Sequence, residues 1–384
     1  MPNELSFKER LVKIRPHLIL VFIPILFTIV FGLVMSLVYV ENIPITILDL
    51  DYSTESRAII DSFYDCAVFD VSEDLQSMEA IEEAMLAGNI KGALIIPDHF
   101  GENMKGKTGA ETLMLVDGTN FLIGNNVQLY GNIILSMANA SVQMKMLEAG
   151  GMVPYMVEKN IYTMNVADRV LYNSELGYFY YLFAALLGLF VQQTMLAVTP
   201  TILIEEKHRL KSHQIAVERE PWKIQVSAVA QKIGLYATLN TISMMVCLII
   251  ANKFFSYPME GNVFYLLLIH IVFLLCCLGV SLVLSAIFDD STHCIQFVMF
   301  LAVPTILSSG YGWPAYMMAK GFAPAMSAAW PLYYYVNPMK DIMLKGGGWD
   351  VIGHYITGGL LFGTGWIIIG LILYRKKIKI LKTL

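Results

Sequence analysis

Residues 18–40 read LILVFIPILFTIVFGLVMSLVYV, a 23-residue apolar run without a single charge. About 20 such residues, wound as a helix, are enough to cross a bilayer. The next comparable run begins only at Tyr178, after a polar block of about 135 residues, and at least four apolar runs follow it. One helix, a folded block and then a helical bundle is a layout for a membrane protein carrying a large insertion. Lys8, Arg10, Lys13 and Arg15 precede the first run, as in a secretory signal. The run is longer than the ~7–15 residues of a cleaved signal, and Val40-Glu41-Asn42 offers no small-residue cleavage site, so it reads as a retained anchor.

Composition agrees. The chain has 384 residues, of which 56% are hydrophobic and 15% charged, with a mean hydropathy of +0.59; these values lie on the membrane side of the usual range. The net charge of −5 says little until the charges are placed. Of five cysteines only Cys66 falls in the polar block. That block therefore has no internal disulfide and must rest on a core of its own, for which its length suffices.

Further spans are expected at Tyr178–Ile204, Ile233–Ala251, Val263–Ile287, Cys294–Ser309 and His354–Tyr374. With six spans both ends lie on one side, and basic residues choose the side. The N-terminal tail, the 205–232 loop and the C-terminal tail together hold fifteen Lys/Arg, against four (Lys253, Lys320, Lys340, Lys345) in the opposite short loops. Both termini are thus expected on the cytoplasmic side and the polar block outside. The basic tail at 375–384 reads as a stop-transfer anchor or, alternatively, a lipid-binding patch. The fifth span is short and runs into Gly310-Tyr311-Gly312-Trp313-Pro314. Segment 310–346 is expected to hold a broken helix or a re-entrant pair of short helices, with Trp330 and Tyr333-Tyr334-Tyr335 at the membrane interface; a surface loop with an aromatic belt is the alternative. The expected fold is an α-helical polytopic membrane protein of six spans, one short or re-entrant, with an inserted extracytoplasmic α/β domain. Its parts are a tail 1–17, a first span 18–40, the α/β domain 41–177 and a five-span domain 178–374.

Inside the polar block, β-type runs alternate with helical ones, the pattern of an α/β layer fold. Strands are expected at Pro44–Leu48, Ala67–Val71, Gly92–Ile96 and Thr112–Val116. Helices are expected from Ser53, as cap, to Tyr64, over Asp74–Ala87, from Asn120 to Glu148, and over Ala167–Leu176. Gly101–Thr108 (GENMKGKT) matches the phosphate-loop pattern, and Asp117 after an apolar strand imitates its magnesium partner. A working loop needs a strand before it and a helix after it; here a helix precedes and a strand follows, so a plain turn is expected instead.

Several runs resemble the type 2 ABC exporter permeases. They are Ile45–Arg57 (ITILDLDYSTESR), Ala84–Phe100 (AMLAGNIKGALIIPDHF), Asp117-Gly118-Thr119-Asn120, Arg169–Asn173 and Pro331–Gly346, in the family's order. The resemblance implies a membrane subunit that pairs with a second permease, most simply a copy of itself, and with a cytoplasmic ABC ATPase that carries the ATP. It also implies an ATPase-coupling segment after the second span: Glu205, Glu206, Arg209, Leu210 and Ile215. Relatives carry an acidic pair followed by Gly-Thr; here Glu205-Glu206 is followed by Arg209-Leu210 at those positions. A short docking helix starting at the acidic pair would suit the positive end of its dipole. A solvated basic loop is the bland alternative.

The spans themselves show no intramembrane charge that would mark an ion route. His270 reads as a packed histidine rather than a relay. Gln192, Gln193 and Asn240 either hydrogen-bond between helices or line a path for a polar headgroup. Gly359 and Gly363 permit close helix packing. No catalytic residues, metal ligands or cofactor site are expected: His208 and His213 are badly spaced on a helix, and Asp49 and Asp51 sit at a turn that favours capping. A nucleic-acid partner is not expected, whereas membrane lipid is. The expected function is export of amphipathic or lipid-like cargo; the alternative is a non-transporting surface receptor or scaffold on the same fold, for which the altered Gly-Thr positions speak.

Overall fold

The computed structural model describes residues 7–35, 40–73, 75–106, 110–153, 156, 171–173, 177–212 and 222–383. The chain divides into two compact units, one built from residues 39–169 and the other from 1–38 together with 170–384.

The first unit holds a four-stranded sheet in the order β2-β1-β3-β4. Strands β1 (Ile43–Asp49), β2 (Phe69–Glu73) and β3 (Gly92–Ile96) run parallel, and β4 (Leu113–Val116) pairs antiparallel with β3. All five residues of β3 are buried, as befits a strand covered on both faces. Alternation sorts them: Leu94 and Ile96 join Ile43, Ile45, Phe63, Phe69 and Val127 on one face, while Ala93 and Ile95 join Leu48, Ile81 and Ile90 on the other. Helices α2 (Thr54–Tyr64) and α3 (Met78–Ala87) start on Ser53 and Ser77 caps. Helix α5 (Phe121–Ala149) starts on Asn120, whose side chain accepts from Leu122 N and Ile123 N.

Three differences from expectation have local causes. Strand β2 begins at Phe69 because Cys66–Phe69 closes a turn, Phe69 N donating to Cys66 O at 3.0 Å. Helix α3 starts at Met78 rather than Asp74, where the Ser77 hydroxyl offers the cap. Of the expected Ala167–Leu176 helix, Leu171–Asn173 are not helical, and the remainder lies outside the described residues.

The phosphate-loop look-alike is largely a helix, α4 (Phe100–Gly106); residues 107 and 108 lie outside the described set. Asp51 accepts from Gly101 N at 2.9 Å, and a Cβ on Gly101 would stand 2.7 Å from Ser53 Oγ. Asp49 accepts from Asp51 N, Tyr52 N and Ser56 Oγ. The Asp-x-Asp-x-Ser turn thus caps and ties helices. Asp117 pairs with Lys91 at 3.0 Å.

Among the described residues the second unit contains six helical stretches long and apolar enough to span a membrane: Pro16–Val34, Tyr178–Arg209, Val229–Phe255, Val263–Ile287, Ser291–Ser308 and Trp349–Lys377. They belong to α1 (Phe7–Val34), α6 (Tyr178–Ser212), α7 (Trp222–Phe255), α8 (Val263–Ile287), the pair α9 (Ser291–Phe300) and α10 (Ala302–Ser308), and α13 (Trp349–Thr383). Helix α1 packs on α6 through stacked Phe27 and Phe190, 3.9 Å apart. The tightest seam joins α8 and α13: Gly279 meets the Trp366–Ile367 backbone, and Gly363 the backbone of Cys276. Cys276 Sγ donates to Gly359 O at 3.1 Å.

The fifth span breaks at Leu301 because Pro304 has no N–H for the carbonyl of Phe300. After a left-handed Gly310 the chain returns through a 3₁₀ turn (Ala315–Met317), α11 (Phe322–Ala329) and α12 (Tyr333–Lys345). Tyr335, expected at the membrane interface, is instead fully buried. Its ring stacks on Phe273 at 4.2 Å and its hydroxyl lies 3.0 Å from His270 Nδ1. Neighbouring Tyr333 and Tyr334 are half-buried, as the helical periodicity of α12 turns only one of the three fully inward.

Candidate functional site

Helix α6 carries most of the candidate residues. Midway along it, Gln192, Gln193, Thr194 and Thr199 are buried, as is Asn240 on α7. Asn240 Nδ2 donates to Thr194 Oγ1 at 3.4 Å, a bond between the two helices. Ser243 on α7 similarly donates to Val21 O on α1. The two glutamines make no such bonds. Among the described residues neither amide nitrogen nor amide oxygen of Gln192 or Gln193 has a partner, and Asn240 Oδ1 lacks one too. Buried polar groups are nearly always satisfied, and these five amide atoms are exceptions to that rule.

At the other end of α6 the chain departs from expectation. The second span does not stop at Ile204 with a new docking helix beginning at Glu205; α6 continues unbroken to Ser212. The acidic pair therefore lies inside a continuing helix and not at the positive N-terminal end of a new one. Glu206 takes Arg209 at 2.6 Å, and Glu205 is exposed. Leu210 lies in α6, with its side chain outside the described set, and Ile215 lies outside the described residues altogether.

Lys207 was not singled out in the sequence. It is buried on the opposite side of these same turns, donating to Ser285 O at 2.7 Å and Phe288 O at 2.6 Å, and pairing with Asp289 at 2.8 Å. Asp289 also takes Lys377 of α13 at 2.9 Å, while its backbone oxygen lies 2.7 Å from His208 Nε2. The Lys207 ammonium, and after it Lys377, holds the Asp289 carboxyl below the usual carboxylate range. A signal was available: Asp289-Asp290 is an acidic pair between two apolar runs, on the side that the basic residues assign to Lys207 and Lys377. His208 is thereby committed to the α8–α9 junction. His213 lies outside the described residues.

A family model described as ABC-2 family transporter protein matches residues 17–372. The chain belongs to this family. The probable multidrug ABC transporter permease YbhS of Escherichia coli K12 is 22% identical over 339 residues, 86% of this chain and 84% of that protein. The inner membrane transport permease YhhJ of the same organism is 20% identical over 341 residues, 87% and 86% of the two chains. ABC transporter G family member 20 of Dictyostelium discoideum is 32% identical over 110 residues, 29% of this chain and only 15% of that much longer protein. No solved structure matches the chain. The resemblance read from five short runs is thus shown across nearly the whole length, and the chain is a multi-pass membrane permease, a transport component.

Proposed function

We propose that this permease is the membrane-spanning subunit of an ATP-driven exporter, moving amphipathic or lipid-like cargo out of the cytoplasm or the inner leaflet. The observation that carries the reading is the family match over residues 17–372. The word multidrug in the name of one relative supports the cargo class. ATP is hydrolysed on a separate cytoplasmic ABC ATPase chain, and this chain binds no cofactor itself. Two permeases, most simply two copies of this chain, complete the machine in contact with lipid. It works in a bacterial cytoplasmic membrane, with both termini cytoplasmic and residues 41–177 extracytoplasmic.

Within it, Glu205, Glu206, Arg209, Leu210 and Ile215 form the ATPase contact. Gln192, Gln193 and Asn240 border the cargo path, where unpaired amides suit the uncharged polar part of an amphipath rather than a free ion. Purification of the full chain in mild detergent tests the core of the reading: a stoichiometric ABC ATPase is expected, and its absence overturns it. Orientation is tested separately, since an impermeant maleimide applied to intact cells should reach Cys66.

One observation favours a second reading, a non-transporting surface receptor. Arg209 and Leu210 stand where the family resemblance implies Gly-Thr, and the Arg209 guanidinium is held against Glu206. That reading expects the 41–177 unit to bind the partner and no ATPase to co-purify.

A further inference from the structure

Among the described residues Lys207 is the only Lys, Arg, Asp or Glu that is buried. An ammonium has three protons to donate, and here each meets an oxygen: Ser285 O, Phe288 O and Asp289 Oδ1, all within 2.8 Å. Ser285 O lies in the last turn of α8, where backbone carbonyls have no partner within the helix. Lys207 therefore caps α8 from another helix. Asp289 passes the grip onward to Lys377 on α13, and the next residue, Asp290, caps α9 by accepting from Thr292 N and His293 N. Three residues, 288–290, thus fasten the ends of α6, α8, α9 and α13 to one another.

Position along α6 gives this junction its significance. Lys207 lies between Glu206 and Arg209 on an uninterrupted helix, so the same two turns present Glu205 and Arg209 to solvent and Lys207 to the bundle. A force applied to the exposed side cannot displace those turns without displacing Lys207. Its hydrogen bonds are directional and all occupied, with no spare proton to slide along. We infer that Lys207 and Asp289 are positioning residues of the transport cycle, conveying movement of the ATPase-facing turns of α6 to α8, α9 and α13. The inference rests on the reading of the chain as an ATPase-driven exporter.

The test uses the full chain with its co-purifying ATPase in inverted membrane vesicles, reading ATP hydrolysis and ATP-dependent movement of a fluorescent amphipathic dye side by side. Lys207→Met should leave the ATPase bound and hydrolysing while dye moved per ATP falls about tenfold, inside the span usual for coupling between sites. Asp289→Asn should lose less, because the two carbonyl contacts survive, and Asp289→Glu should stay within about twofold of the parent. Asp289 is half exposed, so its variants carry the test if Lys207→Met does not accumulate. Unchanged dye movement per ATP in Lys207→Met and Asp289→Asn overturns the inference, as does loss of hydrolysis in proportion to transport, which a mere folding lock produces. A parent protein with no ATPase and no ATP-dependent movement overturns the exporter reading and this inference together.

Discussion

Gly279→Ala is the sharpest perturbation of the α8–α13 seam. An added Cβ would stand 2.8 Å from Trp366 Cβ, 3.0 Å from Gly363 O and 3.0 Å from Ile367 N. All three atoms belong to the opposing backbone or are fixed to it, so no rotamer change relieves the crowding and the helices must part. Overpacking of this kind costs about 1–3 kcal/mol, and the better helix propensity of alanine returns at most about 1 kcal/mol. Gly365→Ala on α13 is the matched control, because nothing lies within 4 Å of its added Cβ; only the propensity gain of up to about 1 kcal/mol remains. The two variants should therefore differ by about 2 kcal/mol, a factor of about 30 in the unfolding equilibrium. Unfolding of the purified full chain in mixed micelles of mild detergent and SDS, followed by tryptophan fluorescence, measures the difference. Equal stability of the two variants, or a more stable Gly279→Ala, refutes the close backbone approach.

Three other outcomes are expected. Gln192→Leu removes two unpaired buried amide atoms and should stabilise the full chain by about 1–3 kcal/mol while reducing dye export, read as micellar unfolding and vesicle transport on the same preparation. Asp117 is held at about 2 by the Thr119 side chain and amide and then by Lys91. Its folded value lies below the usual 3.8, so its stabilisation is complete above about pH 4 and is lost as pH falls toward 2; Asp117→Asn should flatten that part of the pH–stability curve of the full chain. Under native conditions a maleimide should label Cys66, which is half-buried, ahead of the buried Cys247, Cys276, Cys277 and Cys294, whereas SDS should expose all five; mass spectrometry of the labelled peptides decides.

Legibility in the sequence followed the range of the forces involved. The extents of Thr54–Tyr64 and Val263–Ile287 were readable because a local cap in one case and continuous hydropathy in the other define them. Gly92–Ile96 was readable for the same reason, an apolar run closed by Pro97. The end of α6 was not. Hydropathy falls at Glu205, but Glu, Lys and Arg are good helix formers, so a drop in hydropathy marks the edge of an apolar span and not the end of a helix. Lys207 looked like one more positive-inside charge because its partners, Ser285, Phe288 and Asp289, lie about 80 residues away in sequence. Tyr335 was assigned to an aromatic belt together with its neighbours, since a row of three tyrosines does not reveal which one its helix turns inward. The glutamine pair was noticed in the sequence, yet its lack of partners is a property of packing alone.

Helix α6 runs 35 residues, about 52 Å at 1.5 Å per residue, against about 40–45 Å for a bilayer with its headgroups. It is a rod longer than the film it pierces, and in the coupling proposed above its protruding end is the handle. Pro200 is the one interior residue with no amide hydrogen for the preceding turn, which sets the weakest joint of the shaft about two turns short of Lys207. Turning that handle would bend the shaft above Lys207 rather than below it, so the inner third of α6 should travel as one stiff piece.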